Sequence, residues 1–218
     1  MATFAIFTTA VSAQQLVNPD SRLTTYKEKE KTSISYFRTG FNFASVTNSD
    51  YFYDKGGKVG YTVTYGFNKS IAAHGAYWGM EFGLGSRGYT DTSTEYDYKE
   101  TLSAYNAVVS PFNFGWKYEV VDGLKVDAHL GAYVSYDFTG KFKYEDDGET
   151  EECGLDESYW YDYNRVDAGV IFGFGIWYKD RFNVDLSFQD GMINMFDFGS
   201  DDLKCNTRNV LLRVGIAF

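Results

Sequence analysis

No stretch of this 218-residue chain is a continuous apolar run of about 18 residues, which excludes membrane-spanning helices. A basic excess is missing too: the net charge is −10 and the isoelectric point near 4.7, so nucleic acid is not a partner. Cysteine occurs twice, at Cys153 and Cys205, compatible with one disulfide in an oxidising compartment or with two free thiols. No G-x-S-x-G or comparable nucleophile signature is present, and no pattern for a metal or a cofactor stands out.

What the chain has in abundance is aromatic residues, 19% of the total, with 22 glycines and only two prolines. Tyr and Phe favour strands, and glycine marks bends and crowded positions. A mean hydropathy of −0.35 suits a soluble protein. It suits a transmembrane barrel equally, because polar lumen residues alternate there with apolar lipid-facing ones.

The chain is organised around its last ten residues, 209–218. Val210, Leu212, Val214, Ile216 and Phe218 alternate with Asn209, Arg213, Gly215 and Ala217, and Leu211 is the one apolar intruder. Seven earlier runs repeat the split: 34–44, 58–67, 76–88, 102–118, 125–138, 165–178 and 182–189. In 125–138, for example, Val126, Ala128, Leu130, Ala132, Val134, Tyr136 and Phe138 oppose Lys125, Asp127, His129, Gly131, Tyr133, Ser135 and Asp137. Pro111 predicts a bulge, and Asp122-Gly123 a tight turn. Polar loops are expected at 47–57, 89–100, 139–161 and 197–207, with shorter connections between them. Before the first run, MATFAIFTTAVSA (1–13) reads as the core and cleavage site of a secretory signal, although no basic residue precedes Arg22. An ordinary apolar N-terminus is the alternative. Residues 14–30 read as a flexible periplasmic lead-in and 31–218 as the folded domain.

Eight strands with alternating long and short connections predict an all-β fold, an eight-stranded antiparallel up-and-down transmembrane β-barrel with both termini at the short-turn end. The opposite orientation, a soluble lipocalin-like binder with its apolar face inward, would have to fit dozens of bulky side chains into a lumen with room for one small ligand. Apolar faces therefore point outward, with Tyr61, Tyr65, Trp116, Tyr118, Tyr136 and Tyr178 towards strand ends as interfacial girdles. The opposite faces supply an expected lumen network of Arg38, Lys58, Glu81, Arg87, Lys117, Lys125, Asp127, His129, Asp137, Arg165, Asp167, Asp185 and Arg213.

His129 beside Asp127 is a conceivable acid/base group, but no nucleophile has recognisable spacing to it, so it reads as a lumen histidine; His74 reads as a solvated turn residue. Gly83/Gly85 and Gly173/Gly175 sit inside strands and relieve lumen crowding rather than bind nucleotide. The acidic residues from Glu145 to Glu157 read as a solvated surface loop, bridged loosely by divalent cations and lipopolysaccharide phosphates. Cys153 and Cys205 fall in long loops that the barrel topology makes neighbours outside the cell, so a disulfide between them is expected.

Ser110-Pro111-Phe112-Asn113-Phe114-Gly115-Trp116-Lys117, the alternating-loop meander and the terminal Val214-Gly215-Ile216-Ala217-Phe218 resemble the small outer-membrane barrels common in Bacteroidetes, called porin-family or PorT-like. The resemblance covers about 31–218. It implies an outer-membrane location, contact with outer-membrane lipids and lipopolysaccharide, a monomer, and recognition of terminal Phe218 by the barrel-assembly machinery. The expected role is structural, surface-interacting or that of a narrow pore, with no enzymatic activity. An outer-membrane lipid-modifying enzyme is the alternative, and it would need His129 or an outward-facing serine.

Overall fold

The computed structural model describes residues 33–47, 54–71, 75–93, 95, 97–146, 148–157, 162–197 and 204–218. The chain divides into two units, Met1–Glu30 and Lys31–Phe218, and every described residue belongs to the second. The signal-like segment 1–13, the lead-in 14–30 and His74 lie outside the described residues.

Among the described residues eleven strands follow one another: β1 Ser33–Val46, β2 Lys55–Ser70, β3 Ala76–Ser93, β4 Tyr98–Val121, β5 Leu124–Asp146, β6 Glu149–Gly154, β7 Asp162–Tyr163, β8 Val166–Tyr178, β9 Phe182–Gly191, β10 Phe196–Asp197 and β11 Thr207–Ala217. Each long strand pairs antiparallel with its neighbour in the ring β1-β2-β3-β4-β5-β8-β9-β11, and β11 returns to β1, from Tyr36↔Ala217 to Val46↔Thr207. Closure leaves no ladder edge in the wall, which lipid requires, since it offers no hydrogen bonds to an unpaired backbone. The β4–β5 connection is the two-residue turn Asp122-Gly123, with Gly123 at φ 74°. At Pro111 the register slips against both neighbours, between Val109 and Phe112 on the β5 side and opposite Gly79 to Glu81 on β3. A proline donates nothing to the ladder, so the strand bulges there.

The two faces are distributed as lipid demands. Phe41, Val59, Leu84, Phe112, Leu130, Phe174 and Val214 are more than half exposed, whereas Arg38, Asp127, Asp137, Asp185 and Arg213 are almost wholly buried. No water-soluble packing would invert the hydrophobic effect in this way.

Two of the expected loops, 89–100 and 139–161, are largely strand, and 47–57 ends in strand. β2 already begins at Lys55, β3 and β4 stay paired through the 89–100 region as far as Ser93↔Tyr98, and 139–161 contains the end of β5 and all of β6. The apolar-out alternation stops at the membrane boundary because the outer face there meets water. Backbone pairing continues past it. β6 adds to β5 alone, and β7 pairs with β10 in a separate two-stranded sheet. The inner face of this extension carries an apolar cluster of Tyr89, Leu102, Phe142, Tyr144, Leu155, Met195, Phe196 and Cys205.

Candidate functional site: the lumen

Inward-facing residues stack in tiers, because alternate positions on eight tilted strands reach the axis at successive heights. At the short-turn end Tyr36 and Trp177 meet edge to face, ring centroids 5.8 Å apart, and both are buried. Lys117 lies over the Trp177 ring at 3.6 Å, a cation–π contact that holds an inward lysine with no carboxylate at ion-pair distance among the described residues. Tyr77 donates to Asp127 at 2.7 Å.

The next tier is a four-membered ion cluster. Arg38 lies 3.1 Å from Glu81 and 3.6 Å from Asp185, while Arg213 pairs with Glu81 and, at 2.5 Å, with Asp185. Two guanidinium groups and two carboxylates balance one another in a space none can leave. Such a set is stable only if complete, since removing one member leaves a buried charge uncompensated. His129 bridges this tier to the one below, Nδ1 to Asp127 at 2.9 Å and Nε2 to Ser187 Oγ at 3.3 Å. It has room because residue 173 is glycine: a Cβ there would stand 2.6 Å from both His129 Nε2 and Ser187 Oγ. Above the ion cluster a cavity of about 20 Å³, bordered by Asn42, Thr64, Asn106, Gln189 and Arg213, has space for about one water.

The upper polar tier centres on Arg87, which pairs with Asp137 and Asp167 at 2.8 Å each. Tyr133 donates to Asp167 at 2.9 Å, and Tyr163 of β7 donates to Asp137. The apolar cluster of the extension caps this tier.

Asp127, His129 and Ser187 form a hydrogen-bonded chain of the kind that activates a serine nucleophile. Its surroundings oppose that use. Ser187 has no exposed surface, donates its own proton to Asp185 at 2.7 Å, and accepts from Arg213 at 3.1 Å. A hydroxyl so held has neither a substrate path nor a free proton for the imidazole to take.

Of the thirteen expected lumen residues, eleven point inward: Arg38, Glu81, Arg87, Lys117, Lys125, Asp127, His129, Asp137, Asp167, Asp185 and Arg213, although Lys125 lies at the rim and pairs with Asp180 at 2.7 Å. Two depart. Arg165 lies just before β8, where strand alternation no longer governs direction; it grips Asp156 (Nε–Oδ1 2.9 Å) and the Asp137 and Phe138 carbonyls outside the lumen. Asp156 accordingly holds its carboxyl below the usual carboxylate range. Lys58 sits where β2 carries one residue more than β3, between Gly57 and Thr62, and that bulge turns its side chain over Gly88 to the outward Ser103 hydroxyl. Five uncharged residues of the network were not anticipated, Tyr36, Tyr77, Tyr133, Trp177 and Ser187, and above it the buried Asp91 and Glu100 lie in a stretch expected to be loop. The five uncharged ones stand on the polar side of their runs, so parity was the signal that could have found them.

The expected disulfide is absent; Cys153 and Cys205 are free thiols. Cys205 is buried inside the apolar cluster, and Cys153, opposite Phe142 on β5, packs against its side. Each thiol serves as a small apolar group in aromatic packing. Burial pushes the Cys205 thiol up to about 12. The acidic segment is the β5–β6 hairpin, where Glu152 pairs with Lys141 at 2.6 Å and Glu145 with Lys143 and Lys99. Among the described residues no group of three or more His, Cys, Asp or Glu could hold a metal.

A closed eight-strand ring with lipid-compatible outer faces and a salt-bridged interior defines an integral outer-membrane β-barrel. The chain belongs to the family described as outer membrane protein beta-barrel domain, which matches residues 29–197. Its place is the bacterial outer membrane. No curated protein sequence matches the chain. Among solved structures it is similar to Ail, the attachment invasion locus protein of Yersinia pestis, at 14% identity over 85% of this chain and 99% of that one, TM-score 0.43. OprG from Pseudomonas aeruginosa aligns at 10% identity over 86% and 96%, TM-score 0.38, and Neisserial surface protein A at 14% over 84% and 95%, TM-score 0.36. The family assignment rests on the sequence match, and the barrel on this chain's own strand pairing.

Proposed function

We propose that this protein is a plugged barrel that acts through its outer surface rather than as a conduit. The observation that carries the reading is the filling of the lumen: an aromatic and lysine tier, two ion-paired tiers and an apolar cap succeed one another along the axis, and the cavity above the ion cluster has space for about one water. The part that varies in chemistry is outside. β3, β4, β5 and β6 extend beyond the apolar band as a sheet with a charged outward face, suited to contact with lipopolysaccharide or another surface. The reading includes no catalysis, because the triad-like chain Asp127–His129–Ser187 is sealed. It takes the protein to be a monomer, with 1–13 a removed signal, 14–30 a periplasmic lead-in, and Phe218, which lies against Phe37 on the outer wall, as an element recognised during barrel assembly.

Reconstitution in planar bilayers tests the reading. The wild type should give no unitary current steps, and the Arg38→Ser, Arg213→Ser double variant, if it folds, should give small ones. Steady ion-selective steps from the wild type would replace the plugged reading with the narrow-pore one.

A further inference from the structure

A depression of about 610 Å³ lies in the outer wall, bordered by Phe41, Lys58, Tyr61, Ser103, Tyr105 and Lys141. It exists because the wall is thin there. Ser86, Gly88 and Ser103 occupy outward positions on β3 and β4 that carry large side chains lower down, such as Phe82, Leu84 and Phe112. Even a methyl group at Gly88 would strike the Leu102 carbonyl and come within 3.1 Å of the Lys58 stem. Tyr61 and Tyr105 face each other along the lower side, ring centroids 6.4 Å apart.

The electrostatics of the depression are unusual for this acidic chain. The Lys58 ammonium donates to the Ser103 hydroxyl, and among the described residues no carboxylate pairs with it. Lys141 stands opposite Ser103 in the β4–β5 register, and its pair with Glu152 is about half exposed on both sides, hence readily exchanged. Counting Lys143 and Lys99 beside it, this outward face carries four lysines to two glutamates, in a chain of net charge −10. The depression stands at the long-strand end of the apolar band, opposite the end where Phe218 hydrogen-bonds to Ser35. That is the headgroup level of the outer leaflet.

A lone ammonium on a lipid-facing wall, above a tyrosine pair and beside an exchangeable second lysine, matches an anionic headgroup on an acyl chain. We propose that this depression seats a phosphate of an outer-leaflet glycolipid, with Lys58 as its principal ligand, Lys141 as the second, and Tyr61 and Tyr105 flanking the first acyl chain.

Native mass spectrometry of the folded barrel in detergent, with a synthetic phosphorylated acyl-glucosamine lipid or its phosphate-free counterpart, tests this. The wild type should retain one phosphorylated lipid per barrel and at least fivefold less of the phosphate-free one. Lys58→Gln should lose most of that retention and Lys58→Arg should keep it. Ser103→Trp, which fills the depression and leaves both lysines, should also lose it, and serves should Lys58→Gln fail to fold. Lys125→Gln, at the opposite rim, should behave as wild type. Equal retention of the two lipids, retention by both Lys58→Gln and Ser103→Trp, or equal retention of phosphatidylglycerol would overturn the assignment.

Discussion

The same strands run through two solvents, and their faces exchange roles at the boundary. In β5, Val126 to Phe138 expose Val, Leu, Tyr and Phe to lipid and bury Asp127, His129, Ser135 and Asp137 inside. Beyond Thr139 the inward positions become Phe142 and Tyr144, and the outward ones Lys141, Lys143 and Glu145. The reversal coincides with a register irregularity, where Tyr105 opposite Thr139 gives way to Asn106 opposite Asp137. Backbone pairing is indifferent to the change, whereas side-chain placement follows whatever surrounds the wall. A strand's propensity to pair and its choice of faces are therefore separate properties, and only the second reports the environment.

The comparison can be broken from either side. The largest effect is expected from Arg213→Met, which leaves Glu81 and Asp185 short of a partner in the lumen; unfolding in urea should show a loss of about 3–5 kcal/mol for the whole barrel. Phe142→Ala removes the centre of the apolar cap at a cost of about 3–5 kcal/mol, but locally. Hydrogen exchange should accelerate in β6 and β10 while heat-modifiable migration of the barrel stays unchanged, and a collapse of both together would deny that cap and barrel are separable. On the outer wall, Leu130→Arg places a charge in mid-membrane and should cost about 2–4 kcal/mol. Lys143→Leu, above the boundary on the same strand, should stay within about 0.5 kcal/mol. Equal costs at the two positions would erase the boundary.

The smallest perturbation is chemical. Without any reductant, maleimide should label Cys153 slowly, faster as the pH rises, because burial and neighbouring Glu157 hold its thiol above the ordinary value. Cys205, with its thiol pushed up to about 12, should label only on unfolding. Protection of both thiols until reduction would show that they are bonded after all.

Strand order, the direction of each face and the closing pair β1–β11 were legible because period-2 alternation is strong wherever lipid lies on one side, as in 125–138 and 209–218. Eleven of the thirteen expected inward residues follow from that parity. Parity failed where regular pairing ends or slips: Arg165 stands outside β8, and Lys58 lies in the bulge of β2. The extension was read as loop because hydropathy is its only signature in sequence, and at Lys141 to Glu145 both pattern and solvent had already changed. Which inward groups would meet was not legible either. The pairing of Arg38 with Glu81, or of His129 with Ser187, depends on strand stagger around the ring, which alternation does not encode.

A spin-label scan along β5, residues 126 to 145 in a Cys153→Ser, Cys205→Ala background in bilayers, tests the central claim most directly. Oxygen accessibility should peak at Val126, Ala128, Leu130, Ala132, Val134, Tyr136 and Phe138 and vanish between them, and at Lys141, Lys143 and Glu145 the outward positions should become accessible to a water-soluble nickel reagent instead. Oxygen maxima at Asp127, His129, Ser135 and Asp137, or an unbroken pattern through Thr139, would contradict it.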